Sequence, residues 1–382
     1  MVRFVIVGGG VSGLYAGYLL RKQGIEDFII VEQDAFVGGR NKQTQFHGTT
    51  IQLGAGVIRQ SDKRVLRLFQ ELQIPTKTFT IEFKYNIPNY SKQWYHGILK
   101  TLKKTNKITF RDSLIKKFKG DKAQVERFIN HTLYTDFYSS STQNTFKNYP
   151  KKDLYHHKNT YTVGTDGYYA LVKALYDEVK DKVVLNCQIQ KVRLEKESID
   201  VEGSCGMMKC EFIIFTVPIE ALKKIKITPL PSRVKYVQNY IGTNTFIRMY
   251  TFHDSVDMKS PVLTNTIFKQ MIPINNQVLM SCYSDNENSE KALDFIKMAS
   301  YADLTEMINS AISGYGKVSK VKDKVIQYWD SGTHYYKPGY KIKTNYIIDG
   351  RVMICGEVIA YEQGWTEGCL HSVDSLMKKI KK

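Results

Sequence analysis

Arg3-Phe4-Val5-Ile6-Val7-Gly8-Gly9-Gly10-Val11-Ser12-Gly13 opens the chain with a β-branched and aromatic run that stops at glycine. Leu14, Tyr15, Tyr18 and Leu19 then recur at helical spacing. Strand, tight glycine turn and helix form the context that a G-x-G-x-x-G phosphate-binding turn requires. Gly8 permits the turn, Gly10 lets a pyrophosphate approach the backbone, and Gly13 lets helix and strand pack closely. Ser12 falls in the first helical turn, where free N–H groups and the positive dipole end face phosphates. A second strand, Asp27 to Val31, ends at Glu32, about 20 residues beyond Gly13, where an acid reaches ribose hydroxyls. These residues predict an α/β fold with a Rossmann-like dinucleotide-binding domain.

Further phrases follow in a fixed order. Glu32 leads to Gly38-Gly39-Arg40 and then Leu53-Gly54-Ala55-Gly56. Later come Val163-Gly164-Thr165-Asp166-Gly167, Asn186-Cys187-Gln188-Ile189 and Cys210 to Pro218. The chain closes with Cys355-Gly356-Glu357 and Gln363-Gly364-Trp365-Thr366-Glu367-Gly368. In order and spacing the set resembles the flavin-containing amine oxidase family, which includes monoamine oxidases and L-amino-acid oxidases. The resemblance implies FAD as cofactor, with Ile189 on its adenine side, and with Gly39, Arg40, Gly54, Ala55, Gly56, Gly356, Glu357 and Thr366 around it. Glu357 is expected on the ribityl or pyrophosphate side, since a carboxylate accepts hydroxyl hydrogen bonds. A dehydrogenase using NAD alone would leave the C-terminal Gly-Glu phrase without a purpose.

The length of 382 residues suits two domains. The family layout makes both discontinuous: an FAD domain at 1–75, 155–225 and 320–382, and a smaller α+β substrate domain at 76–154 and 226–319. The first strand begins at once, leaving no room for a signal peptide. No run approaches the about 18 apolar residues of a spanning helix, so a cytoplasmic protein is expected. Six cysteines show no metal-type spacing and are expected as reduced thiols. His156-His157 lacks a third ligand and reads as solvated loop, so no metal is expected. Ser139 to Thr142 and Ser284 to Glu290 read as polar surface loops. The formal charge is +18, and ten Lys or Arg face two Asp between Lys92 and Lys122. No nucleic-acid motif accompanies that stretch, so it reads as a Lys-rich surface. The same charge would repel a polycationic substrate such as spermine.

In the family the flavin takes a hydride from the amine-bearing carbon at N5, and water hydrolyses the imine. The protein binds and orients the amine. Arg59, in Ala55-Gly56-Val57-Ile58-Arg59, is similar to the arginine that pairs with the substrate carboxylate in L-amino-acid oxidases, where a planar fork makes two parallel bonds. Trp365 matches the aromatic that faces the flavin ring and shapes the amine slot. Two departures stand out. Arg248 occupies the place of the family's lysine near flavin N5, and Trp329 to Gly339 resembles the loop of the first aromatic wall but has no cysteine. FAD is therefore expected to be non-covalent, with Trp329 near it and His334, Tyr335 or Tyr336 as the wall. The expected activity is oxidation of a small amine, foremost an L-amino acid, with O2 as acceptor. Arg248 keeps one alternative open, a flavin desaturase or dehydrogenase with another acceptor; the basic surface offers another, a silent FAD-binding interaction protein. The sequence sets no oligomeric state.

Overall fold

A computed structural model describes residues 1–148 and 158–380. His156-His157 and the terminal Lys381-Lys382 lie outside the described residues. The fold is mixed α/β, built around two large sheets.

The first sheet carries the parallel strands Phe28–Val31, Val2–Val7, Gly206–Phe215 and Val352–Ile354. Gly206–Phe215 is long enough to serve twice. Its second half pairs in parallel with Val2–Val7, while its first half pairs antiparallel with Ile199–Gly203. Alternation sends the side chains of Val2–Val7 to two cores. Phe4 and Ile6 pack with Leu14 of the helix Val11–Lys22, Leu171 of Tyr169–Val179 and Leu370 of Thr366–Met377. Val5 and Val7 pack on the other face with Ile219 and Val234. A parallel sheet covered on both faces needs such a continuous apolar strand.

The second sheet runs in the order Asp323–Tyr336, Ile241–Phe252, Val278–Asp285, Gln270–Pro273, Val262–Thr264 and Lys84–Asn86. Asp323–Tyr336, placed by sequence in the FAD stretch, pairs with Ile241–Phe252 over nearly its whole length. The helices Lys92–Thr101, Phe110–Lys117 and Lys122–Asn130 enclose an aromatic cluster of Tyr95, Phe110 and Phe128. Their lysines, including Lys92, Lys100, Lys116 and Lys117, are exposed. No helix among the described residues is long and apolar enough to cross a membrane.

Two sequence expectations are corrected. Cys187 and Cys205 form a disulfide with Cα atoms 5.0 Å apart, so the thiols are not all reduced. The hairpin through Gly203–Gly206 folds Ser204 back onto Gln188, with Ser204 N–H donating to the Gln188 carbonyl at 3.0 Å. The polar runs are not surface loops either. Ser140, Ser141, Thr142, Ser284 and Asp285 are buried. Their hydroxyls are satisfied internally: Ser140 donates to the Tyr336 carbonyl at 3.0 Å and Thr142 to the Lys103 carbonyl at 2.8 Å. Buried hydroxyls need such partners, and the pattern cannot be seen in composition.

Candidate active site

The glycine turn after Val7 is set by close packing. A Cβ on Gly13 would lie 1.9 Å from the Gly8 carbonyl oxygen, so the helix start can approach the strand only as glycine. At Gly10 the opposite holds, because a Cβ would meet nothing nearer than the Gly38 oxygen at 4.0 Å. The space over Gly10 is open. No side chain caps the helix that starts there, so its first N–H groups are available to an anion. Gly39 faces Gly10 across this crevice, 3.7 Å from a built Cβ to the Gly10 Cα. Glu32 ends the second strand and accepts the Gly9 N–H at 2.7 Å and the Asp34 N–H at 3.0 Å. Burial pushes its carboxyl pKa upward against those two bonds. Ile189 begins its strand, buried in the second core.

The two ends of the chain meet at this turn. Gly356, with φ +100°, lies against Ser12, whose Oγ is 2.7 Å from a built Cβ. Glu357 is 5 % exposed and fully engaged. It pairs with Arg40 at 2.8 Å and accepts the N–H groups of His334 at 3.0 Å and Gly364 at 2.7 Å. His334 Nδ1 also bonds Glu357, while its Nε2 accepts the Ile219 N–H at 3.0 Å. That pattern places the ring proton on Nδ1. Burial alone would raise the Glu357 pKa, but Arg40 and His334 outweigh it and hold the carboxyl well below its ordinary range. Arg40 completes the link by donating to the Gly332 carbonyl at 2.8 Å.

A cavity of ≈ 130 Å³ opens beside this network. Arg40, Asn41, Gly54, Ala55, Glu357 and Thr366 line one side. Phe246, Tyr283, Trp329 and Trp365 supply aromatic walls, and Arg248 lies among them. Trp329 is fixed by its indole N–H, which donates to the Leu53 carbonyl at 2.9 Å. Arg248 donates to the Gln52 carbonyl at 2.8 Å and lies over the Tyr283 ring at 4.4 Å. Burial opposes its charge, yet the Tyr283 and Tyr250 phenols more than compensate and raise its pKa. Gly56 sits beside it, with a built Cβ 3.7 Å from Arg248 Nη1.

Arg59, the sequence candidate for carboxylate binding, lies outside the cavity lining. It is 7 % exposed. Its guanidinium pairs with Asp62 and Glu362, each at 2.7 Å, and stacks on the Trp365 ring at 3.9 Å. The aromatic-wall candidates also lie elsewhere: His334 is buried behind Glu357, and the Tyr336 hydroxyl donates to the Ala360 carbonyl at 2.8 Å. Gly332, Thr333 and Trp329 line the cavity from that strand instead. Sequence reasoning missed Phe246 and Tyr283. Phe246 lies two residues before Arg248, so period-two alternation from Arg248 points to it. Tyr283 faces Arg248 only through strand register, Arg248 opposite Tyr283. Among the described residues no cluster of His, Cys, Asp or Glu could hold a metal ion.

A family model described as NAD(P)-binding Rossmann-like domain matches residues 6–72, and one described as flavin containing amine oxidoreductase matches residues 98–257. A stretch of 93 residues is 31% identical to the flavin-containing amine oxidase of Oncorhynchus mykiss, covering 23% of this chain and 16% of that protein. Polyamine oxidase 7 of Oryza sativa subsp. japonica is 40% identical over 53 residues, 14% of this chain and 11% of that protein. Alignments with these curated relatives thus span only a small part of their lengths. The fold extends further. A solved putrescine oxidase triple mutant superposes with TM-score 0.78 at 14% identity, over 99% of this chain and 98% of that one. Cyclohexylamine oxidase from Brevibacterium oxydans IH-35A gives TM-score 0.78 at 13% identity, over 100% of both.

Proposed function

We propose that this chain, which belongs to the flavin-containing amine oxidoreductase family, is an FAD-dependent enzyme that oxidises the C–N bond of a small amine. The residues present fit that cofactor. The open space over Gly10, the uncapped start of Val11–Lys22 and the unpartnered Asn41 Oδ1 in the cavity wall are features a bound dinucleotide would use. Gly8, Gly10, Ser12 and Gly13 would hold the pyrophosphate and Glu32 the adenosine ribose. Arg40, Gly54, Ala55, Thr366 and Trp329 would border the ring system. The Trp329 to Gly339 stretch contains no cysteine, which favours non-covalent binding.

FAD, when bound, supplies the two-electron acceptor. The chain's own part is to bind and orient the amine. Phe246, Tyr283, Trp329 and Trp365 form an aromatic slot whose ring faces attract an amine. The arrangement that carries the reading is this aromatic slot beside the Arg40–Glu357–His334 network, with the N-terminal phosphate turn adjoining it through Gly356 and Ser12.

The substrate we favour is an L-amino acid rather than a polyamine. Among the described residues the one carboxylate lining the cavity, Glu357, is already paired with Arg40 and His334. A second substrate ammonium would therefore find no free acid there. O2 is the favoured acceptor; Arg248 in place of a lysine supports a second reading, a dehydrogenase with another acceptor. Anaerobic titration of the purified flavoprotein with L-amino acids, benzylamine and putrescine tests both. Bleaching by an amine, with recovery and peroxide on admitting air, is the expected result. Bleaching without aerobic recovery would favour the second reading, and a flavin that no amine bleaches would remove the enzymatic one.

A further inference from the structure

We propose that Arg248 is the anion-recognising residue of the cavity, and that the amine oxidised there carries a carboxylate. The inference rests on the amine-oxidising reading and assigns the substrate contact to a different residue from the one the sequence suggests.

Among the described residues three charged side chains line the cavity: Arg40, Arg248 and Glu357. Arg40 and Glu357 pair at 2.8 Å and cancel. Arg248 is left with no carboxylate among the described residues; its contacts are the Gln52 carbonyl and the tyrosine side chains beside it. A guanidinium has five N–H donors in a planar fork suited to a carboxylate. Neutral phenols and a carbonyl hold the guanidinium in place but bring no formal negative charge, so a ligand carboxylate would meet an unneutralised cation. Asp136 lies against Gly364, 3.9 Å from a built Cβ, without joining the lining.

Arg59 cannot fill this role in the same geometry. Two carboxylates already hold its guanidinium and one of its faces is covered by Trp365. A carboxylate on Arg248 would instead lie among Phe246, Tyr283 and Trp329, on the same wall as the amine slot. A diamine would bring its second positive charge toward Arg248 and be repelled.

The test uses the FAD-loaded protein and two probes of nearly equal shape, benzoate and benzamide. Binding is read by perturbation of the flavin absorbance and by thermal shift, so turnover is not needed. Benzoate should bind wild type and benzamide should bind at least about tenfold more weakly, as expected for loss of a charged hydrogen bond. Arg248→Met should weaken benzoate by a similar factor, and Arg248→Lys should fall between, because it keeps the charge but not the fork. Equal binding of the two probes to wild type would overturn the inference without any variant. So would Arg248→Met protein that retains its flavin and binds benzoate normally. If amines bleach the flavin but benzoate ignores Arg248, the anion site falls and the oxidase reading survives. If benzoate depends on Arg248 while no amine or amino acid reduces the flavin, the anion site stands and the oxidase reading falls.

Discussion

Replacing Glu357 by Gln tests the network that ties the C-terminal phrase to Arg40. The carboxylate is buried, pairs with Arg40 at 2.8 Å and accepts two backbone N–H groups. Removing one partner of a buried ion pair costs about 3–5 kcal/mol. Two features reduce that figure. Arg40 is 25% exposed on its side chain, so water screens part of its lost pairing, and the Gln carbonyl can still accept the His334 ring N–H. A loss of about 2–3 kcal/mol at neutral pH follows. The pH dependence has a definite sign. Glu357 has its folded pKa depressed below the reference value of 4.5. Its contribution is therefore complete above pH 4.5 and lost as pH falls toward the folded pKa. The wild-type advantage over Glu357→Gln should narrow by about 1.4 kcal/mol per pH unit below that point. Glu32, Asp62 and Asp285 have raised pKa values and act in the opposite sense, so the comparison must be between wild type and variant. Urea unfolding of both proteins at pH 7, 4.5 and 3.5 measures the gap. A gap near zero at pH 7, or one unchanged between pH 4.5 and 3.5, would refute the reasoning.

Gly10→Ala should fold normally, because Gly10 has φ −74° and open space at its Cβ, yet lose FAD; the flavin-to-protein ratio after gel filtration reports it. Gly13→Ala should instead fail to yield folded protein, since its Cβ collides with the Gly8 oxygen. Arg59→Ala should destabilise the protein by about 3 kcal/mol, because it strands the buried Asp62 carboxylate; unchanged urea stability with weakened amino-acid binding would restore Arg59 to substrate recognition. Titration of the denatured, unreduced chain should find four thiols rather than six, and Cys187→Ser with Cys205→Ser should lower stability by about 3 kcal/mol for a loop of this length.

Much of the candidate cofactor crevice was legible because its constraints are local. Gly8 to Gly13 must make one turn between one strand and one helix, and Glu32 is set by the length of a single βαβ unit. Gly39, Arg40, Gly54 and Ala55 follow within the same short stretch. The substrate side resisted reading because its residues come from strands distant in the chain. Trp329 was found through its phrase, but His334 four positions on from Asp330 points into a buried pair with Glu357, not into the cavity. Within one strand, bulges shift the alternation, as between Asn244 and Phe246, and a one-residue slip exchanges the faces.

The sequence by itself determined the Rossmann-like start, the acid that follows it and the family that the motifs resemble. These depend on spacings of a few residues and on backbone space that glycine alone provides. Only the tertiary structure decided which arginine is closed in by carboxylates. Arg59 and Arg248 are equivalent as letters, but Asp62 and Glu362 close around the first, while strand pairing sets the second between Tyr283 and the Gln52 carbonyl. A charged group's role depends on its counter-charges, and those are assembled by folding across hundreds of residues.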